Sequence, residues 1–226
     1  VEPDCMMPSG EAFVRQRLYG MMFFKEEFND LPTAEWYLDS FGYNVGLPQI
    51  LAKSGAKYLW TNKMTWNDET IFPFVYYNWE SPSGHSVLTA SFEQHKSVFQ
   101  KWDDYVQGRF QLAKDGKKNW SYEDDYSKLA QNIDKSKFVP IIGFKEGKGD
   151  GGHGPTHQEV AEMDEYIKAG KDVDFDVRWT HAHEYFKALD EYKDNLPVWQ
   201  DEMYLEYHRG CFSVHAETKR HNRRLE

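Results

Sequence analysis

Two cysteines in 226 residues, Cys5 and Cys211, are too few for a disulfide-stapled scaffold or a cysteine-based zinc site. So few thiols suit a reducing compartment, and a cytoplasmic location is expected. Long apolar runs are also missing. None approaches the roughly 20 residues of a helical membrane span, so no membrane partner is expected. Basic residues are outnumbered, 27 Lys and Arg against 37 Asp and Glu, and the net charge of −10 argues against nucleic acid, which attracts Lys/Arg-rich faces. Two reaction motifs are absent. There is no Gly-x-Ser-x-Gly elbow for a serine hydrolase, and Gly147-Lys148-Gly149 lacks the Gly-Lys-Ser/Thr ending of a phosphate loop. An initiator methionine is lacking too. The chain starts at Val1 and stops within a helical pattern at Leu225-Glu226, so a piece of a longer protein is expected.

Aromatic residues are plentiful: 8 Trp, 14 Tyr and 15 Phe make 16% of the chain. Flat rings with a polar handle suit a domain that stacks sugars, and they suit a large core equally; composition leaves both open. Along the chain, Ser9 caps a helix running to about Phe28, which ends at Asn29-Asp30-Leu31-Pro32. Apolar strands are expected at 34–38, 57–61, 74–79, 86–92, 138–144 and 173–177, with an extended stretch at 197–207. Helices are expected at 47–54, 94–132 with an interruption near Gly116, 156–169, 180–192 capped by Thr180, and 211–226. Strands alternating with helices predict one α/β domain built on parallel βαβ units.

In such domains reactive groups gather where strands end and loops begin. Asp39 follows the strand at 34–38, Asp150 lies in the glycine-rich loop after 138–144, and His208 follows the stretch at 197–207. Two carboxylates on separate strand ends suit glycoside hydrolysis, one attacking the anomeric carbon and the other protonating the departing oxygen. A histidine nearby suits a metal ligand or a proton carrier. Taken singly, each has a plainer explanation: a turn aspartate, a flexible loop, a strand-end histidine.

The blocks taken together are more specific. Glu2-Pro3-Asp4 with Ser9-Gly10-Glu11 and Val14-Arg15-Gln16 resembles glycoside hydrolase family 38 α-mannosidases. So do Asp39-Ser40-Phe41-Gly42-Tyr43, Leu47-Pro48-Gln49-Ile50-Leu51, Trp66-Asn67-Asp68, Phe72-Pro73 and Trp79-Glu80. Gly149-Asp150-Gly151-Gly152 with Gly154-Pro155-Thr156 is similar to the subgroup with bacterial, archaeal and vacuolar members. Glu202-Met203-Tyr204-Leu205-Glu206, His208-Arg209-Gly210, and Lys219-Arg220 with Asn222-Arg223-Arg224 complete the resemblance, in order along the chain.

That resemblance implies a retaining, zinc-assisted hydrolase of terminal α-linked mannose on oligosaccharides. Asp39 would be the nucleophile and a zinc ligand, His208 a second ligand, and Asp150 the acid/base. Phe41 would lie beneath the sugar, with Asp4, Lys63 and Trp66 in the pocket wall. It implies a parallel (β/α) barrel of the glycoside hydrolase/deacetylase type, seven-stranded in the full enzyme and incomplete here. Residues 1–210 would be the partial catalytic domain and 211–226 the start of a following helical region. The family's further zinc ligands, a His-x-Asp pair, are expected upstream of Val1, so the chain alone is expected to be weakly active or inactive. A homo-oligomer is left open.

Two rival readings remain at this point: a metal-dependent carbohydrate deacetylase, and a non-catalytic sugar-binding or assembly module. A covalent mannosyl adduct on Asp39 separates the first from the hydrolase. Calorimetry with mannose-type ligands separates the second. The remaining histidines read as decoys. His181-Ala182-His183 falls at a helix start, where residues two apart diverge; His153 and His157 flank the loop; His215 and His221 sit in a basic helical end.

Overall fold

The computed structural model describes residues 3–67, 69, 72, 74–91, 139, 141, 154–170 and 177–226. Helix α1 (Gly10–Phe28) starts as expected: the Ser9 hydroxyl accepts the Ala12 N–H, and Asn29 closes the helix in the left-handed conformation. The chain then forms a βαβ unit from β1 (Ala34–Trp36), α2 (Leu47–Lys53) and β2 (Tyr58–Thr61), with Pro48 in the first turn of α2. Strands β3 (Tyr76–Glu80) and β4 (Ser86–Ser91) follow. Helix α3 (His157–Ala169) opens with a reciprocal Thr156–Glu159 capping box, and α4 (Ala182–Asp190) has His181, not Thr180, at its N-cap. The stretch expected to be extended at 197–207 contains only the short strand β5 (Val198–Trp199). The expected helix at 211–226 divides into a 3-10 turn, Arg209–Phe212, and helix α5 (Ala216–Leu225). The helix expected at 94–132 lies outside the described residues, as do nearly all of 138–144 and 173–177.

The strands form one sheet in the order β1-β2-β4-β3-β5. Strand β2 pairs in parallel with both β1 and β4, whereas β3 pairs antiparallel with β4 and parallel with β5. The sheet is therefore mixed, and the expected parallel (β/α) barrel, seven-stranded in the full enzyme and incomplete here, is corrected by this topology. The reason is local. Only Ser81–His85 separates β3 from β4, and a parallel crossover needs a dozen residues or more. The Gly84 N–H donates to Ser81 O and the Ser81 N–H to His85 O, so the link closes as a tight hairpin turn. Among the described residues no helix is long and apolar enough to cross a membrane.

Alternation along the strands divides the core between the two sheet faces. Leu59, Tyr77, Trp79 and Val87 pack on one side with Tyr43, Leu51 and Met203. Tyr58, Trp60, Leu88 and Ala90 pack on the other with Tyr185, Phe186 and Leu189 of α4. All four residues of β2 are buried, as expected of a strand covered on both faces. Val139 and Ile141 lean on the second cluster.

Helix α1 is tied to this sheet by a buried ion pair. The Arg17 guanidinium pairs with Glu35 of β1 and also donates to the Ser54 hydroxyl (2.9 Å) and Ser54 carbonyl (3.3 Å) beyond α2. Burial pushes the Glu35 carboxyl above the usual carboxylate range, and the opposing pull of Arg17 does not cancel it. A carboxyl whose folded-state value is raised favours folding fully below its ordinary value near 4.5. That contribution is lost as pH rises through the raised value. Urea titrations should therefore show wild type losing stability relative to Glu35→Gln as pH rises from about 4.5 through the raised value, with no further loss above it. Arg17→Met should destabilise the protein by about 3–5 kcal/mol near neutral pH, because it leaves a buried carboxylate without its partner.

Candidate active site

The register of β1 on β2 brings the first two functional groups together. Trp36 lies opposite Trp60, and the ladder continues beyond the strands: the Tyr37 N–H donates to Trp60 O (3.0 Å) and the Asn62 N–H to Leu38 O (3.1 Å). Asp39 and Lys63 are the next residues on each side, and the Lys63 ammonium lies 2.5 Å from the Asp39 carboxylate. The pair is asymmetric. Lys63 is buried, 2% exposed, whereas the Asp39 side chain is 54% exposed. A buried ammonium needs compensation. Here the carboxylate supplies it together with two aromatic faces, Trp66 with its ring centroid 3.1 Å from Nζ and Phe41 at 5.6 Å.

Phe41 joins this cluster to His208. Their ring centroids are 4.6 Å apart, and Tyr207 stands 6.4 Å beyond the imidazole. His208 is exposed and adopts left-handed backbone angles, φ 64° and ψ 19°. The structure thus brings Asp39, Phe41, Lys63, Trp66 and His208 into one group along the carboxyl edge of the parallel strands, where open α/β sheets bind ligands. Asp4 has a different place. Its Oδ1 accepts the Met6 and Met7 N–H groups at 2.8 and 3.1 Å, a turn-forming use of aspartate. Asp150 and His153 lie outside the described residues. His157, His181, His183, His215 and His221 are exposed.

Several supporting residues were given no role from the sequence. Tyr43 is fully buried, and its hydroxyl donates to Tyr37 O at 2.5 Å. With that proton used, the Thr61 hydroxyl donates to Tyr43 while accepting the Lys63 N–H at 3.1 Å. One tyrosine thus fixes the backbone before Asp39 and the turn carrying Lys63. Its own backbone exchanges two hydrogen bonds with Met203, 2.9 and 3.0 Å, which anchors the segment leading to His208. A cleft of about 300 Å³ lies beside Phe41, lined on its other sides mainly by Met6, Met203, Leu205, Arg209 and Phe212. The buried Cys5 thiol, pushed up to about 12 chiefly by burial, is no nucleophile near neutral pH.

The described residues do not fit a zinc ion. About four donors are needed, Asp39 is already paired with an ammonium, and no group of three or more His, Cys, Asp or Glu among the described residues could hold a metal.

Residues 1–202 match the family described as glycosyl hydrolases family 38 N-terminal domain. The chain is 34% identical to alpha-mannosidase 2C1 of Homo sapiens and 32% identical to alpha-mannosidase G of Dictyostelium discoideum, in both cases over all of its own length. It spans about one fifth of the length of these relatives, 20% and 19%. Among solved structures it shares the fold of an alpha-mannosidase from Enterococcus faecalis V583, with TM-score 0.56 and 12% identity, over 90% of this chain and 21% of that one.

Gly42 tests the backbone beneath the site. Its φ of 98° favours glycine, while an added Cβ would make ordinary contacts of 3.5–3.7 Å with Met203 O, Leu205 N and Met6 Cγ. The cost of Gly42→Ala is therefore one of backbone conformation rather than crowding, about 1–2 kcal/mol. A shift in the urea midpoint of that size, with an unchanged slope, is the expected result.

Proposed function

We infer the reaction from one premise: the chain belongs to glycosyl hydrolases family 38 and forms part of that family's N-terminal domain. The function that best suits the site is retaining hydrolysis of terminal α-linked mannose from an oligosaccharide. The observation that carries it is the Asp39–Lys63 pair beside the rings of Phe41 and Trp66. Lys63 holds one carboxylate oxygen of Asp39, which fixes the direction of the other, and Phe41 offers an apolar face to a sugar ring.

In this reading Asp39 attacks the anomeric carbon, a covalent mannosyl–enzyme forms, and the departing oxygen takes a proton from Asp150. Asp150 then removes a proton from water, which attacks the same carbon and frees Asp39 with the configuration retained. His208 and Trp66 close the sides of the pocket, and Asp4 shapes the turn at its wall. Residues 1–210 belong to the catalytic domain and 211–226 begin the helical region after it. Zinc enters no step. Asp39 and His208 alone do not complete a zinc site, so a bound zinc would need donors beyond the described residues. Alone, the chain is weakly active or inactive.

The test uses the full-length protein with a slow fluorinated mannoside, followed by peptide mapping. A mannosyl adduct on Asp39, and a loss of turnover of about 10³-fold or more in Asp39→Asn, are the expected results. An adduct on another carboxylate, or an Asp39→Asn enzyme with wild-type turnover, overturns the assignment. Separately, zinc titration of the 226-residue chain by calorimetry should give no binding tighter than about 10 μM, because its described donors do not complete a site.

A further inference from the structure

Asn67 sits four residues past Lys63 and next to Trp66, and it is buried, 3% exposed. Both halves of its side-chain amide bond to one stretch of backbone: Nδ2 donates to Tyr204 O (2.9 Å), and Oδ1 accepts the Glu206 N–H (2.8 Å). In an extended segment the carbonyl of one residue and the N–H of the next but one point to the same side. The asparagine amide therefore takes the place of a neighbouring strand. The clamp is reinforced: the Glu206 carboxylate accepts the Glu69 N–H (2.9 Å), and the Glu206 carbonyl accepts Arg209 Nε (2.9 Å). His208 follows two residues later in left-handed backbone, a conformation that a non-glycine residue keeps only where the surroundings hold it.

We propose that Asn67 is a positioning residue. It fastens the segment 204–206 to the loop carrying Lys63 and Trp66, and so sets the His208 imidazole against Phe41. The proposal rests on the reading of Asp39 and His208 as active-site groups; the clamp itself does not. Both of its side-chain bonds go to backbone groups of that segment.

The experiment compares Asn67→Ala and Asn67→Asp in the full-length protein, by hydrogen exchange of the peptide spanning 203–209 and by kcat and KM on an aryl mannoside. Asn67→Asp keeps the acceptor for Glu206 and loses the donor to Tyr204, so it gives a second, near-isosteric variant if alanine does not fold. Exchange in 203–209 should quicken about tenfold or more while β2 and β4 stay protected, the effect expected of one or two lost hydrogen bonds. The kcat should fall about tenfold or more with KM within about threefold, alanine the stronger of the two. Unchanged exchange overturns the clamp. Faster exchange with wild-type kcat overturns the positioning role, as does faster exchange throughout the sheet. An Asp39→Ala control that keeps turnover defeats the active-site reading instead, and the exchange result still decides whether the clamp exists.

Discussion

A buried ammonium organises this site. Lys63 lies almost without solvent contact, and a charge there persists only if carboxylate and aromatic faces surround it. The register of β1 against β2 delivers Asp39, and the turn after β2 and the residues after Asp39 deliver Trp66 and Phe41. The same requirement then constrains the neighbours. Tyr43 and Thr61 brace the backbone on both sides of the pair, and Phe41 carries the arrangement to His208.

Glu35 and Asp39 each pair with a cation, and burial separates their fates. Glu35 is withdrawn from water beneath α1, and desolvation outweighs the attraction of Arg17, so the pair ties elements together at an electrostatic cost. Asp39 keeps more than half of its side chain in solvent, so its pairing with Lys63 orients a carboxylate that still faces outward. The first arrangement suits a structural joint; the second suits a group that must meet a ligand.

The mixed sheet explains how distant segments reach one edge. β1, β2 and β4 run in one direction, and the residues after β1 and β2 supply Asp39 and Lys63. The hairpin returns β3 in the opposite sense, and β5 pairs along it at Asn78 and Trp79. The Trp79 indole then holds Asp201 O at 2.9 Å, and the Tyr77 hydroxyl donates to Met203 Sδ at 2.6 Å. Those contacts steer the chain toward Tyr43 and on to His208.

Local chemistry was legible in the residues themselves. Ser9 and Thr156 marked helix starts because their hydroxyls cap exposed N–H groups, and Asp39, Phe41, Trp66 and His208 stood in recognisable blocks, with Lys63 implied only through the resemblance. Strand direction was not legible, because a β-strand shows the same period-two pattern whichever way it pairs; only the five-residue link between β3 and β4 hinted at an antiparallel turn. Asn67 and Tyr43 stood in such blocks too, but their structural roles were not legible, since they depend on partners at Tyr204, Glu206 and Met203 far along the chain. The sequence by itself determined the family, the caps and the chemical groups at strand ends. The tertiary structure alone decided that the sheet is mixed, that Lys63 is buried against Asp39, and that residues 137 and 139 apart in the chain are joined by one amide. Each of these depends on contacts between segments whose pairing no local pattern encodes.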